Sequence, residues 1–130
     1  MKKTYIAHQG EKFTIEWYCN SRGQSDALEY FEELSTDRKK KLIHLFYLLG
    51  AVGKIFNIEK FRHEGDQIYA IKSSPDRFFC FFFDGSKIIV TNAYEKKSEK
   101  MPSREKQKAL KAKDDYIQRC KRGIYYEDQN

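Results

Sequence analysis

Several features are scarce in this chain of 130 residues. No apolar run approaches the ~20 residues that a membrane-spanning helix needs. The longest, around 42–52 and 78–83, stop well short of that. The opening MKKTYIAHQGEK carries two lysines but no apolar signal core and no small-residue cleavage site. It reads as a short tail, and the protein as cytoplasmic with no membrane role. Cys19, Cys80 and Cys120 are odd in number and widely spaced. That excludes the paired spacing of a disulfide framework or a zinc site and predicts buried free thiols. The glycine-rich phosphate loop, the Rossmann fingerprint, HExxH and G-x-S-x-G are absent. Acidic residues form no cluster on one element, which argues against a metal-dependent nuclease, and no cofactor is expected. Of the dispersed histidines His8, His44 and His63, only His63 lies where a site residue is expected, beside Arg62 and just before a predicted sheet.

Aromatic mass and positive charge are abundant. Hydrophobic residues make up 40% and aromatic residues 15%, enough to bury a core, and the length fits a single domain over residues 1–130 with its core at about 13–120. The net charge of +6 is unevenly placed. Residues 94–122 hold eleven Lys/Arg against five Asp/Glu, and the remainder carries fourteen of each. A one-sided basic field suits a polyanion such as nucleic acid, or an acidic protein partner; a solvated helix face is the other reading.

The order of elements follows from local signals. FTIEWYC at 13–19 has strand composition, and NSRGQS is a turn. Ser25 caps a helix with Ala27, Leu28, Phe31 and Leu34 on its apolar face. The segment 35–37 caps a second helix with Leu42, Leu45, Phe46 and Leu49, ended by Gly50 and Gly53. A loop at 54–60 leads to three strands: GDQIYAIK, RFFCFFF and KIIVTNAY, the last two joined by a DG hairpin turn. Pro102 opens a final helix through REKQKALKAKDDYIQRCKR, buried along Ala109, Ala112, Tyr116 and Cys120. IYYEDQN is a terminal tail. The predicted fold is α+β: a small, mostly antiparallel sheet of one N-terminal strand plus a three-strand meander, packed with a helical hairpin and a C-terminal helix. In RFFCFFF, alternation points Phe79, Phe81 and Phe83 to one face and Phe78, Cys80 and Phe82 to the other, so helices are expected on both faces.

Antiparallel pairing gathers charge at one end of that sheet. Lys72 and Arg77 flank the turn SSPD, and the end of the third strand returns beside the start of the second. Tyr94, Lys96 and Lys97 are thus expected to approach Arg77. Such a cluster suits a phosphodiester. It also suits metal-free RNA cleavage, in which the 2′-hydroxyl is the nucleophile and the protein moves protons and stabilises charge on phosphorus. A purely phosphate-binding patch is the alternative.

The stretch GDQIYAIKSSPDRFFCFFFDGSKIIVTNAYEKKSEKMPSREKQKALKAKDDYIQR resembles the toxins of the RelE/ParE superfamily of bacterial type II toxin–antitoxin systems, and within it the HigB-like, phage-derived branch. The shared features are the strand-opening arginine before the phenylalanines, the DG turn, the apolar strand and the paired lysines before a Pro-initiated helix. The resemblance implies a RelE-like fold and ribosome-dependent mRNA cleavage that halts translation. It implies a cognate helix-turn-helix antitoxin (HigA-like) as partner, alongside the ribosome and mRNA. It assigns Arg77, Lys96, Lys97 and Tyr94 to catalysis. Lys72, Arg62, His63, Lys100 and Arg104 are the candidates for RNA or phosphate binding. Three positions depart from the pattern: Lys72 stands for an arginine, Ala70 for an acidic residue, and Met101 for the capping threonine common before the proline. A ParE-like toxin acting on DNA gyrase, or an inactive binding homologue, are the alternative readings.

Overall fold

The computed structural model describes residues 5–55 and 59–127. The chain runs β1 (Ile6–Gln9), β2 (Thr14–Trp17), α1 (Asp26–Glu32), α2 (Thr36–Val52), β3 (Phe61–His63), β4 (Tyr69–Ser73), β5 (Asp76–Phe83), β6 (Lys87–Glu95) and α3 (Ser103–Lys121). This is an α+β fold with one sheet in the order β1-β2-β6-β5-β4-β3. Every pairing is antiparallel except β2 with β6.

The helix starts follow the capping rules. The Ser25 side chain accepts from the Leu28 N–H, and that of Ser35 from the Arg38 N–H. Gly53 ends α2 in the left-handed region at φ 81°. Gly50, by contrast, does not end the helix. It is buried within α2, its carbonyl accepts from the N–H groups of Lys12 and Phe13, and a Cβ there would lie 2.8 Å from the His8 ring. The glycine is the port where the β1–β2 turn docks on the helix. At the β5–β6 turn, Asp84 and Gly85 both have positive φ, as the DG signal requires.

The sheet has six strands where four were expected. β1 occupies the N-terminal segment read as a tail, and β3 follows the segment read as a loop. Both are short and sit at the edges, so local composition signals them weakly and their pairing defines them. Residues 1–4 of that tail, 56–58 of that loop and 128–130 of the C-terminal tail lie outside the described residues. Burial also extends past 13–120: Tyr5 and Tyr125 are both buried. The Tyr125 hydroxyl accepts from the Cys19 N–H at 3.0 Å, and its ring lies 4.6 Å from Tyr116.

β5 is covered on both faces. Phe78 and Cys80 pack with Trp17, Leu42, Phe46 and Val90 under α1 and α2, with Phe82 at the margin. Phe79 and Phe81 pack with Ile68, Ile89, Ala109 and Tyr116 under α3, with Phe83 at the margin. The predicted alternation therefore holds, and these rings are core. All three cysteines are free thiols: Cys19 and Cys80 are buried and Cys120 is half-buried. Among the described residues, no helix is long and apolar enough to cross a membrane.

One irregularity in β6 matters for the site. Phe79 pairs with Asn92 but Cys80 pairs with Val90, so Thr91 is an extra residue, a β-bulge. Its hydroxyl donates to the Asn92 side chain at 2.6 Å. Ile88 and Val90 face the helical hairpin; strict alternation would send Asn92 and Tyr94 there too. The bulge instead turns Ala93 to that side and brings Asn92 and Tyr94 under α3.

Candidate active site

The register of the meander sets the site. Lys72 on β4 pairs with Arg77 on β5, and Arg77 pairs with Tyr94 on β6. Opposite residues share a face, so three chemistry-bearing side chains stand in a row at one end of the sheet. β3 adds Arg62, opposite Ala70. The segment after β6 turns back, and the Lys96 N–H donates to the Pro75 carbonyl at 2.8 Å. Together they line a polar cleft of about 390 Å³, with Glu64, Lys100 and Met101 at its rim.

Arg77 is the most enclosed of these groups, only 8% exposed, and its guanidinium donates to the Asp76 carbonyl at 3.0 Å. Its strand is braced from behind. The fully buried Asp76 carboxylate accepts from Arg38 of α2 and, at 2.6 Å, from the Tyr30 hydroxyl of α1. Arg38 also reaches Glu95 at 3.5 Å. This network ties both hairpin helices to the residue next to Arg77. It keeps the buried carboxylate paired.

The cleft tunes its own acids. Burial lowers the Lys72 pKa below the ordinary lysine value, and the cations Arg77 and Arg62 push it further the same way. Burial raises the Tyr94 pKa, and Glu64 and Glu105 add to the rise against Arg77. Tyr94 is therefore a phenol that keeps its proton, held by its ring against Phe79 at 5.7 Å. An ammonium inclined to lose its proton and a phenol inclined to hold one flank a fixed guanidinium.

Of the residues singled out from sequence, Arg62, Lys72, Arg77, Tyr94, Lys96 and Lys100 line this one cleft. Lys97 is exposed on the segment after β6, and Arg104 is exposed on the first turn of α3; neither lines the cleft. His63 packs against Tyr69 at 4.9 Å, on the opposite face of β3 from Arg62. Glu64 was missed: the β3–β4 turn carries it to the rim, and nothing local in FRHEGDQ marks it. The basic helix also has a role that its charge did not reveal. Lys106 bonds the Glu64 carbonyl at 2.9 Å and Asp66 at 3.0 Å, and Lys113 bonds the Asp66 carbonyl and Gln67. Two of its lysines thus clamp the β3–β4 turn onto α3. A second cavity of about 360 Å³ lies between α1, β6 and α3, but its polar lining is largely engaged, as in the Tyr18–Asp115 and Asn92–Glu105 bonds.

A sheet buried on both faces, with a cationic cleft where the meander ends, defines a class: a small α+β protein with a built polar site lined by cations. The family described as phage derived protein Gp49-like (DUF891) matches residues 29–114, a span that includes every residue lining the cleft. The chain belongs to this family, which is of the RelE/HigB toxin type. No curated protein matches it.

Proposed function

We propose that the protein is the toxin of a type II toxin–antitoxin pair, a metal-independent endoribonuclease that cuts mRNA on the ribosome and stops translation in the cytoplasm. The observation that carries this reading is the row Lys72–Arg77–Tyr94, closed into a cleft by Arg62 and Lys96. Membership in a family associated with toxin–antitoxin toxins supports it.

In this account the RNA 2′-hydroxyl attacks phosphorus and the 5′-oxygen leaves. Arg77 stabilises the negative charge that builds on the phosphoryl oxygens; its burial and its bond to the Asp76 carbonyl hold it ready for that charge. Lys96 and Lys100 bind phosphate in the cleft, with Lys97 outside it. Lys72 and Tyr94 position the RNA, and the proton that Tyr94 retains is available to the leaving oxygen. Arg62 adds a phosphate contact within the cleft, and His63 and Arg104 contact RNA further out. A helix-turn-helix antitoxin covers the protein when growth continues.

The test is expression in a bacterial host without the antitoxin. The reading expects growth arrest with rapid loss of full-length mRNA, both relieved by Arg77→Ala. Arrest with intact mRNA and altered DNA supercoiling would instead establish the gyrase-directed alternative.

A further inference from the structure

We propose that Glu64 is the base that takes the proton from the attacking 2′-hydroxyl; this rests on the ribonuclease reading above. The reaction needs a proton acceptor. Lys72 positions the RNA in this account, and a bound phosphate favours its charged form, so it enters the reaction already protonated. A guanidinium does not deprotonate, so Arg77 is not the acceptor. Tyr94 holds its proton, with its pKa pushed up by burial.

Glu64 has the placement for the task. Its N–H donates to the Ile68 carbonyl at 2.8 Å, and its own carbonyl accepts from Lys106 at 2.9 Å. The turn that carries it is further fixed by the Lys106–Asp66 ion pair. Strand alternation puts Glu64 on the Arg62 face, because Phe61 joins the core on the hairpin side and His63 packs on Tyr69. Its charge acts on both Lys72 and Tyr94, so the three belong to one electrostatic site. Yet among the described residues no hydrogen bond or ion pair engages its carboxylate, although the cleft is lined by cations. A carboxylate that merely held those cations would be paired with one, as Asp76 is with Arg38. Glu99 also lines the cleft, but it is exposed on the segment before α3, whereas Glu64 is half-buried and fixed by its main chain.

The step balances within the RNA and the protein. The O2′–H proton passes to the Glu64 carboxylate as the O2′–P bond forms and the P–O5′ bond breaks. The leaving O5′ takes a proton from Tyr94, giving a 2′,3′-cyclic phosphate and a 5′-hydroxyl.

The experiment is single-turnover cleavage of ribosome-bound mRNA by wild type, Glu64→Gln and Tyr94→Phe. Each is also tested on a substrate whose 5′-bridging oxygen at the cut is sulfur, a leaving group that needs no acid. Affinity is read separately with a 2′-deoxy substrate. Glu64→Gln is expected to cut roughly 10²–10⁴-fold more slowly on both substrates while binding as tightly as wild type or tighter, and Tyr94→Phe is expected to recover on the sulfur substrate. If wild type cuts and Glu64→Gln stays within about threefold of it, the assignment falls alone. Recovery of Glu64→Gln on the sulfur substrate would make it the acid and overturn the assignment too. A wild type that leaves mRNA intact overturns the ribonuclease reading itself, and the base with it.

Discussion

Arg77 stands directly opposite Tyr94 across β5 and β6, and the extra residue Thr91 is what turns Tyr94 to the face that Arg77 already occupies. The cleft therefore depends on one break in strand alternation as well as on strand order. The Tyr94 ring packs on Phe79, and in the proposed reaction its hydroxyl supplies the proton. Tyr94→Phe should keep the fold and its melting temperature but lower mRNA cleavage by roughly 10²-fold or more, measured with normal RNA.

Arg77 is expected to be the costliest single loss. Removing a preorganised charge stabiliser costs about 10²–10³-fold in rate. Arg77→Ala should reach at least that, and Arg77→Lys should recover only part, because an ammonium lacks the planar two-pronged donor. Single-turnover rates of the two variants test this order.

The brace behind the site makes a stability prediction. Arg38→Ala leaves the buried Asp76 carboxylate with Tyr30 as its side-chain partner. An uncompensated buried charge is strongly destabilising. Arg38→Ala should melt several degrees below wild type, and well below Lys40→Ala on the exposed surface of the same helix, by circular dichroism.

Lys72 predicts a pH dependence. Its pKa is lowered in the free protein, and a bound phosphate favours the charged form, raising it again. RNA binding therefore takes up a proton between the two values. Affinity for a 2′-deoxy RNA should be constant below the free-protein pKa of Lys72 and fall as pH rises through it. Lys72→Gln should bind more weakly and lose that slope. The folding linkage has the same origin: the unfolded chain binds this proton more tightly, so the contribution of Lys72 to stability improves as pH rises toward the ordinary lysine value.

The C-terminal segment predicts its own cost. Tyr125→Ala empties a buried site and deprives the Cys19 N–H of its acceptor. A loss of about 3 kcal/mol is expected from denaturant titration, comparable with large-to-small changes at other core aromatics.

Much of this architecture is legible in the sequence. Ser25 and Ser35 announce two helices, the DG turn fixes a hairpin, and RFFCFFF declares a strand covered on both faces. Short antiparallel connections also suffice to bring Lys72, Arg77, Tyr94 and Lys96 together. What was not legible is non-local. β1 and β3 have four and three residues and exist through pairing. Asp76 and Arg38 lie far apart in the chain and meet only in the fold. Gly50 looked like a helix stop because its contact with the β1–β2 turn is invisible locally. Glu64 reads as a turn residue until α3 clamps that turn against the cleft, and Lys106 reads as surface charge until it is seen holding Asp66. Tyr5 and Tyr125 were placed in tails because each finds its cover in the other, at a ring distance of 5.6 Å, and in α3.

The central claim is that the Arg77 cleft cuts RNA by attack of its own 2′-hydroxyl. The most direct measurement is to add purified protein to a translation extract and identify the new ends of a defined mRNA. The account predicts fragments that begin with a 5′-hydroxyl, appear only with ribosomes, persist in the presence of a metal chelator under conditions that keep the ribosomes intact, and are absent with Arg77→Ala. Translation arrest with the mRNA intact, or fragments undiminished by Arg77→Ala, would contradict it.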